Sequence, residues 1–308
     1  MPDATTAREI TGNPATLPLL LKAALPALPG LSRLPGVGKH GSALPALKLT
    51  RYDVPMDRAH VARYADLCGF GRKETVPVTY PHLLAFGLHL TIMTDADFPF
   101  PAIGTIHLAN TITAHRAISA GEKLQVTAWP ADLRPHAKGR VFDLVTQVHS
   151  AGELVWEETS TFLRRGAGDD TAPATDEGLE AVPPSAIEWR LPGDLGRRYA
   201  AVSGDRNPIH LYAVTAKAFG FPHQIAHGMW SKARCLAALE GRLPDAVTID
   251  VAFKEPVLLP GRVRFGSRPL GDRGDRSWAF SLTDPRSGAP HLLGAARARR
   301  PQAEPGTG

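Results

Sequence analysis

The chain has almost no cysteine. Its 308 residues include two, Cys68 and Cys235, which lie far apart. They fit no metal or redox spacing and suit a reducing compartment, each as a small buried apolar residue. A long hydrophobic run is also missing. The best candidate, Leu17–Leu28 (LPLLLKAALPAL), is broken by Pro18, Lys22 and Pro26, so it is too short and too interrupted to span a bilayer. The residues before it mix acids and bases and do not form the positive segment of a signal peptide. These absences lead us to expect a cytoplasmic protein with no membrane span, its first 44 residues forming an arm that packs on the body. No basic stripe with interleaved aromatics is present. The net charge of +5 is too diffuse for nucleic-acid binding and points only to anionic partners.

An apolar content of 43% and a charged content of 21% describe a globular chain, long enough for two domains. The sequence contains itself twice. Tyr64-Ala-Asp-Leu-Cys-Gly69 matches Tyr199-Ala-Ala-Val-Ser-Gly204, and Tyr80-Pro-His-Leu-Leu-Ala-Phe-Gly87 matches Phe221-Pro-His-Gln-Ile-Ala-His-Gly228. The second copy is six residues longer between these landmarks, and this register pairs Phe86 with His227. Each copy repeats one order of elements: a short extended piece (46–54; 186–191), a helix (56–68; 194–203), a helix-like stretch after Gly87 or Gly228, and four strand-like runs. The runs are 104–114, 122–129, 139–150 and 153–164 in the first copy. In the second they are 246–254, 262–266, 277–283 and 291–297. Phe142, Leu144, Thr146 and Val148 alternate with polar neighbours, as a half-buried strand does. Gly-containing links at 150–152 and 287–289 read as hairpins, so the sheets are expected to be antiparallel. The architecture is therefore α+β, a helix on a sheet, repeated. We expect an N-terminal half over 45–165, a flexible linker over 166–184 that is rich in Gly, Ala, Pro and acids, a C-terminal half over 185–298 and a disordered tail over 299–308.

The polar chemistry concentrates in Tyr199–Trp230. Asp205 precedes His210 by five residues across an Asn207-Pro208 turn, and Gly228 stands where a helix begins. A carboxylate, an imidazole and a helix-start N–H are the parts needed for proton transfer beside a polarised carbonyl. The first copy has no Asp–His pair in its corresponding gap. Each residue also has an ordinary reading: Asp205 and Asn207 as turn formers, His210 as a satisfied core histidine, Gly228 as a capping glycine. His223 and His227 are four apart, but Pro222 and Gly228 flank them and the sequence places no third ligand. We therefore expect no metal, and read His227 as pinning the loop. His82 and Phe86 read as structural. Phe98-Pro-Phe100 reads as core, with the alternative of lining an acyl tunnel.

Ser203–His210 (SGDRNPIH) followed by Ala226–Met229 (AHGM) resembles the signature of MaoC-like (R)-specific enoyl-CoA hydratases, or hydratase 2. The two-copy layout resembles the double-hotdog members, in which two antiparallel sheets each wrap a central helix and the N-terminal half is degenerate. Pro77–Pro81 (PVTYP) and Phe98–His107 are similar to phrases of actinobacterial (3R)-hydroxyacyl-thioester dehydratases. The resemblance covers roughly 45–298. It implies catalytic roles for Asp205, His210 and Gly228, and substrate contacts from Asn207, His227 and Met229. It also implies an acyl-CoA or acyl-carrier-protein substrate, no cofactor, a place in fatty-acid metabolism and a possible homodimer. A serine found eight residues after the glycine in several single-copy members is Leu236 here, which leaves Ser203 or Ser231 to support the site. Losing the second apparatus would free the first half to open a channel for a longer acyl chain. The competing readings are a non-catalytic acyl-thioester-binding subunit and a hotdog thioesterase.

Overall fold

A computed structural model describes residues 6–24, 41–272 and 274–299. Residues 1–5 and 25–40 of the expected arm and residues 300–308 of the expected tail lie outside it. The first half contains β2 (Leu47–Val54), α2 (Arg58–Cys68), α3 (Pro81–Met93), β3 (Thr105–Ala114), β4 (Leu124–His136), β5 (Gly139–Ser150) and β6 (Glu153–Arg165). The second contains β7 (Ile187–Leu191), α4 (Leu195–Ser203), α5 (Pro208–Leu211), α6 (Ala213–Ala218), α7 (Gly228–Leu239), β8 (Val247–Phe253), β9 (Gly261–Leu270), β10 (Ser277–Thr283) and β11 (Pro290–Ala298). The N-terminal arm adds β1 (Thr6–Glu9), parallel to β2, and α1 (Thr16–Ala24), which packs on α3 and buries Leu20 and Ala23.

The two expected sheets are joined into one of eleven strands, ordered β1-β2-β4-β5-β6-β3-β8-β11-β10-β9-β7. The order from β2 to β3 is mirrored from β7 to β8, so the repeat in the sequence becomes a two-fold relation about the β3–β8 seam. That seam is antiparallel, running from Ala109↔Ala252 to Ala114↔Val247. Each half edge-pairs with the other, which removes two exposed strand edges. α3 packs on β2, β4 and β5, and α7 packs on β10. One contiguous core, from Leu49 and Phe142 to Phe265 and Leu292, runs through both halves.

Local chemistry explains most boundaries. The Asp57 carboxylate accepts from Ala59 N–H at 2.9 Å and starts α2. α2 and α4 each end on a left-handed glycine, Gly69 and Gly204, whose N–H returns to the carbonyl of Ala65 or Ala200. The two landmark tyrosines, Tyr64 and Tyr199, are buried side by side, their rings tilted by 52° with centroids 6.3 Å apart. Strands β4 and β9 run past their expected ends at Trp129 and Gly266, to His136 and Leu270. Pro130, Pro135 and Pro269 sit inside paired strands, and β4 takes up a bulge between Ala131 and Arg134.

Two expectations need correction. The segment 166–184 was expected to be flexible. It is instead held by Asp169 N–H to His136 O (3.1 Å), by Val182 N–H to Ser281 Oγ (2.8 Å) and by an Asp176–Lys254 ion pair. The second correction concerns register. α3 starts at Pro81, not after Gly87, so Gly87 lies inside a helix. Matched by helix start, Gly228 corresponds to Pro81 and His227 corresponds to Tyr80, each pair holding the first and the capping position.

Candidate active site

The site is built on a short loop between two glycines. After Gly204 ends α4, Asp205 N–H donates to Ser203 Oγ (3.1 Å) and Asn207 N–H donates to Asp205 Oδ1 (3.1 Å). This Asx turn fixes the carboxylate. Pro208 opens α5 with its φ already helical. One turn later His210 is buried against α4, where Gly196 approaches its carbonyl so closely that a Cβ would sit 2.0 Å from the oxygen. The following segment is pinned as a strand-like bridge: Ala226 N–H donates to Val257 O (2.8 Å) and Leu259 N–H to Gln224 O (2.9 Å). The pinning delays the next helix, so that α7 begins at Gly228.

These constraints bring three predicted residues together. Ligating atoms of Asp205, His210 and His227 all lie within 4.8 Å of one another. His210 Nδ1 donates to Ile225 O at 2.8 Å. A carbonyl only accepts, so Nδ1 carries the proton and Nε2 is left as the basic nitrogen. His227 Nε2 likewise donates to Asp205 O at 3.0 Å and stands 3.7 Å from Asp205 Oδ2. The two imidazoles stack at 3.7 Å between centroids, and Tyr199 lies 4.8 Å from His227 on the other side. Three buried polar atoms here have no partner among the described residues: Asn207 Oδ1, His227 Nδ1 and Tyr199 OH.

Burial pushes the Asp205 carboxyl up, but His227, His210 and the Asn207 N–H outweigh it, and the group titrates below its ordinary value. This reverses the direction expected from burial alone. Burial lowers His210, and burial together with the neighbouring His210 lowers His227 to about 3. At neutral pH the site therefore holds one carboxylate and two neutral imidazoles.

Gly228 is the first helical residue of α7, so its N–H has no acceptor within the helix and sits at the positive end of the dipole. A Cβ at this position would lie 3.1–3.2 Å from the Phe253 ring. The remaining predicted residues divide. Asn207 is half-buried in the loop, Met229 is buried in the core, and His223 is exposed and apart from His227. Leu236 is buried. Ser203 is the serine that contacts the Asp205 loop, and Ser231 Oγ reaches only His227 O at 3.4 Å. Asp205, His210 and His227 are donors a divalent cation would accept, but hydrogen bonds to carbonyls occupy His210 Nδ1 and His227 Nε2. Reasoning from sequence did not assign Tyr199 or Phe253 to the site. Tyr199 had a signal, its place in the repeat; Phe253 reaches the site from β8 with none.

A family model described as a MaoC like domain matches residues 171–276, a stretch containing the loop, α7 and the strands up to β9. The chain is 38% identical over 288 residues to 3-hydroxyacyl-thioester dehydratase X of Mycobacterium tuberculosis, covering 92% of this chain and 99% of that protein. The chain belongs to the MaoC-like dehydratase family. The crystal structure of M. tuberculosis HtdX superposes with a TM-score of 0.72 at 38% identity over 82% of this chain and all of that one. A MaoC-like dehydratase from Phytophthora capsici shares the fold, with a TM-score of 0.64 at 19% identity over 82% of this chain and 95% of that one. The α+β hotdog architecture is thus that of MaoC-like dehydratases. Among the described residues no helix is long and apolar enough to cross a membrane.

Proposed function

We propose that the chain catalyses the reversible dehydration of (3R)-hydroxyacyl thioesters to trans-2-enoyl thioesters, with Asp205, His210 and Gly228 as its working groups. The observation that carries this reading is the clustering of Asp205, His210 and His227 within 4.8 Å of one another, with the proton of His210 held on Nδ1 and with Gly228, next to His227, as the first residue of α7. The dehydratase relative, covered over almost its whole length, supports the same chemistry.

The roles follow from the charges. In the hydration direction, His210 Nε2 holds a water and Asp205 takes its proton. The oxygen adds to C3, and the double-bond electrons move toward the thioester oxygen. That oxygen gains negative charge, which the Gly228 N–H and the α7 dipole stabilise. The protonated Asp205 then returns that proton to C2, so one water is added across the double bond and the carboxylate is restored. Dehydration is the same path reversed. Asp205 suits the task because its depressed titration keeps it ionised at neutral pH, and His210 because burial keeps it uncharged. His227 and Asn207 hold the loop. Both CoA and acyl carrier protein are anionic, which the positive net charge of the chain favours.

The test is direct. Pure protein is incubated with crotonyl-CoA and longer enoyl-CoAs, the enoyl band is followed, and the configuration of the hydroxyl product is determined. Loss of the band with a 3R product is expected. A stable band, or release of free thiol in its place, overturns the reading.

A further inference from the structure

The inner face of the first half carries a buried charged chain that no acid/base role explains. Glu158 of β6 is shut off from solvent and accepts from His82 Nδ1 of α3 at 2.9 Å and from Asn110 Nδ2 of β3 at 2.6 Å. Asn110 Nδ2 also donates to Ser160 Oγ at 2.9 Å. The oxygens of Asn110 serve the other half: its backbone O, at 3.0 Å, and its Oδ1 both accept from Lys232 Nζ. A third bond joins Nζ to Ile249 O of β8 at 3.1 Å. Lys232 is fully buried, and it lies one turn beyond Gly228 on α7. A continuous polar chain, His82–Glu158–Asn110–Lys232, therefore links the two central helices across the β3–β8 seam.

Burying an ammonium is expensive, and a methionine would fill the same space without that cost. What the ammonium adds is direction. Its three acceptors belong to both halves, so they fix the depth and rotation of the first turn of α7 against the seam. We propose that Lys232 is a positioning residue of the dehydratase site, through which the first half sets the place of the Gly228 N–H. This rests on the reading that this N–H receives the thioester oxygen. It gives the first half a task in catalysis without a catalytic group of its own. The titratable groups acting on Lys232 are Glu158 from β6, Asp250 from β8 and His107 from β3. Burial pulls the ammonium down to about 7 against the opposing pull of Glu158 and Asp250. The third donor is thus lost as pH rises through neutrality.

The test compares the full-length chain with Lys232→Met and with Lys232→Met/Glu158→Gln, which removes both buried charges together. Crotonyl-CoA hydration is measured between about pH 5.5 and about pH 8.5, alongside thermal melting. The single variant is expected to melt earlier, because Glu158 loses its counter-charge, and the double variant to recover. Both should lose about tenfold to a hundredfold in kcat, with KM changed by less than about threefold. The fall of wild-type kcat as pH rises through about 7 should be missing from both. A folded double variant with wild-type kcat and pH profile overturns the proposal. If the double variant does not fold, Asn110→Ala, which keeps both charges, is read the same way, and unchanged kcat there overturns it. Asp205→Asn retaining full turnover would instead overturn the reading of the site, whatever Lys232 does.

Discussion

The two central helices begin on different residues, and the two halves diverge from that point. Pro81 opens α3 twelve residues after Gly69, whereas Gly228 opens α7 twenty-four residues after Gly204. Proline has no N–H, so the first residue of α3 cannot present the donor that the first residue of α7 does. The added length in the second half is the loop with α5 and α6, which carries Asp205 and His210. The halves therefore differ in two ways, one adding the loop with Asp205 and His210 and the other opening its helix on a glycine, the two features to which the proposed mechanism assigns proton transfer and the thioester oxygen. The first half also keeps a carboxylate and an imidazole, Glu158 and His82, but locks them to each other and to Asn110 inside its core.

The sharpest way to break this comparison is to disarm the second half. Asp205→Asn and His210→Gln should each lower turnover by about 10²–10⁴-fold, with melting temperature changed by only a few degrees. Full activity in either variant, measured on enoyl-CoA, would mean that the chemistry resides elsewhere.

A smaller effect separates the two glycines that the sequence aligns. Gly228→Ala places a Cβ against the Phe253 ring and pushes the first turn of α7 aside, so kcat should fall by about a hundredfold. Gly87→Ala lies inside α3. Its Cβ would meet Asn13 Oδ1 at 3.0 Å and Pro14 at 3.1–3.2 Å, where the N-terminal arm docks. That variant should lose about 1–3 kcal/mol of stability and keep its turnover. Equal kinetic losses in the two would undo the register assigned by helix start.

The last effect concerns acid and acts on stability, not turnover. Burial holds His89 at about 4 and His107 at about 3 in the first half, and His227 at about 3 in the second. All three lie below the unfolded value near 6.5, so between 6.5 and these values the unfolded chain binds more protons than the folded one. Stability should fall as pH drops below about 6.5, by up to about 1.4 kcal/mol per pH unit for each histidine. Thermal melting at a series of pH values checks this. His107→Phe should flatten the slope, because His107 stacks on Phe162 at 4.5 Å and its Nε2 has no partner among the described residues. An unchanged slope would show that His107 does not contribute.

Much of the fold was legible because its signals are local. Alternation along 139–150, the Tyr64 and Tyr199 glycine-ended helices and the hairpin glycines all act over a few residues. The misreadings were local signals overruled at a distance. β4 and β9 were expected to end at Trp129 and Gly266, yet pairing with β5 and β10 carries them on through Pro130, Pro135 and Pro269. The apparent match of Gly87 to Gly228 failed because equivalent bridges, Ile225 to Leu258 and Thr75 to Ser119, hold 224–226 and 74–76 extended, so the segment before α7 matches 74–76 and not 82–86. The low apolar content of 166–184 suggested freedom, and contacts with His136, Ser281 and Lys254 removed it.

The sequence by itself determined the repeat, the loop that orders Asp205, Asn207 and His210, and the glycine at the start of α7. These depend on turn chemistry and spacing within some thirty residues. Only the tertiary structure decided that the two halves share one sheet, that two imidazoles press the Asp205 carboxyl down against its burial, and that Lys232 reaches Asn110 across the seam. Each of those depends on groups more than a hundred residues apart, or on a balance between desolvation and neighbouring charge. No spacing along a chain encodes the distance between charges that sets such a balance.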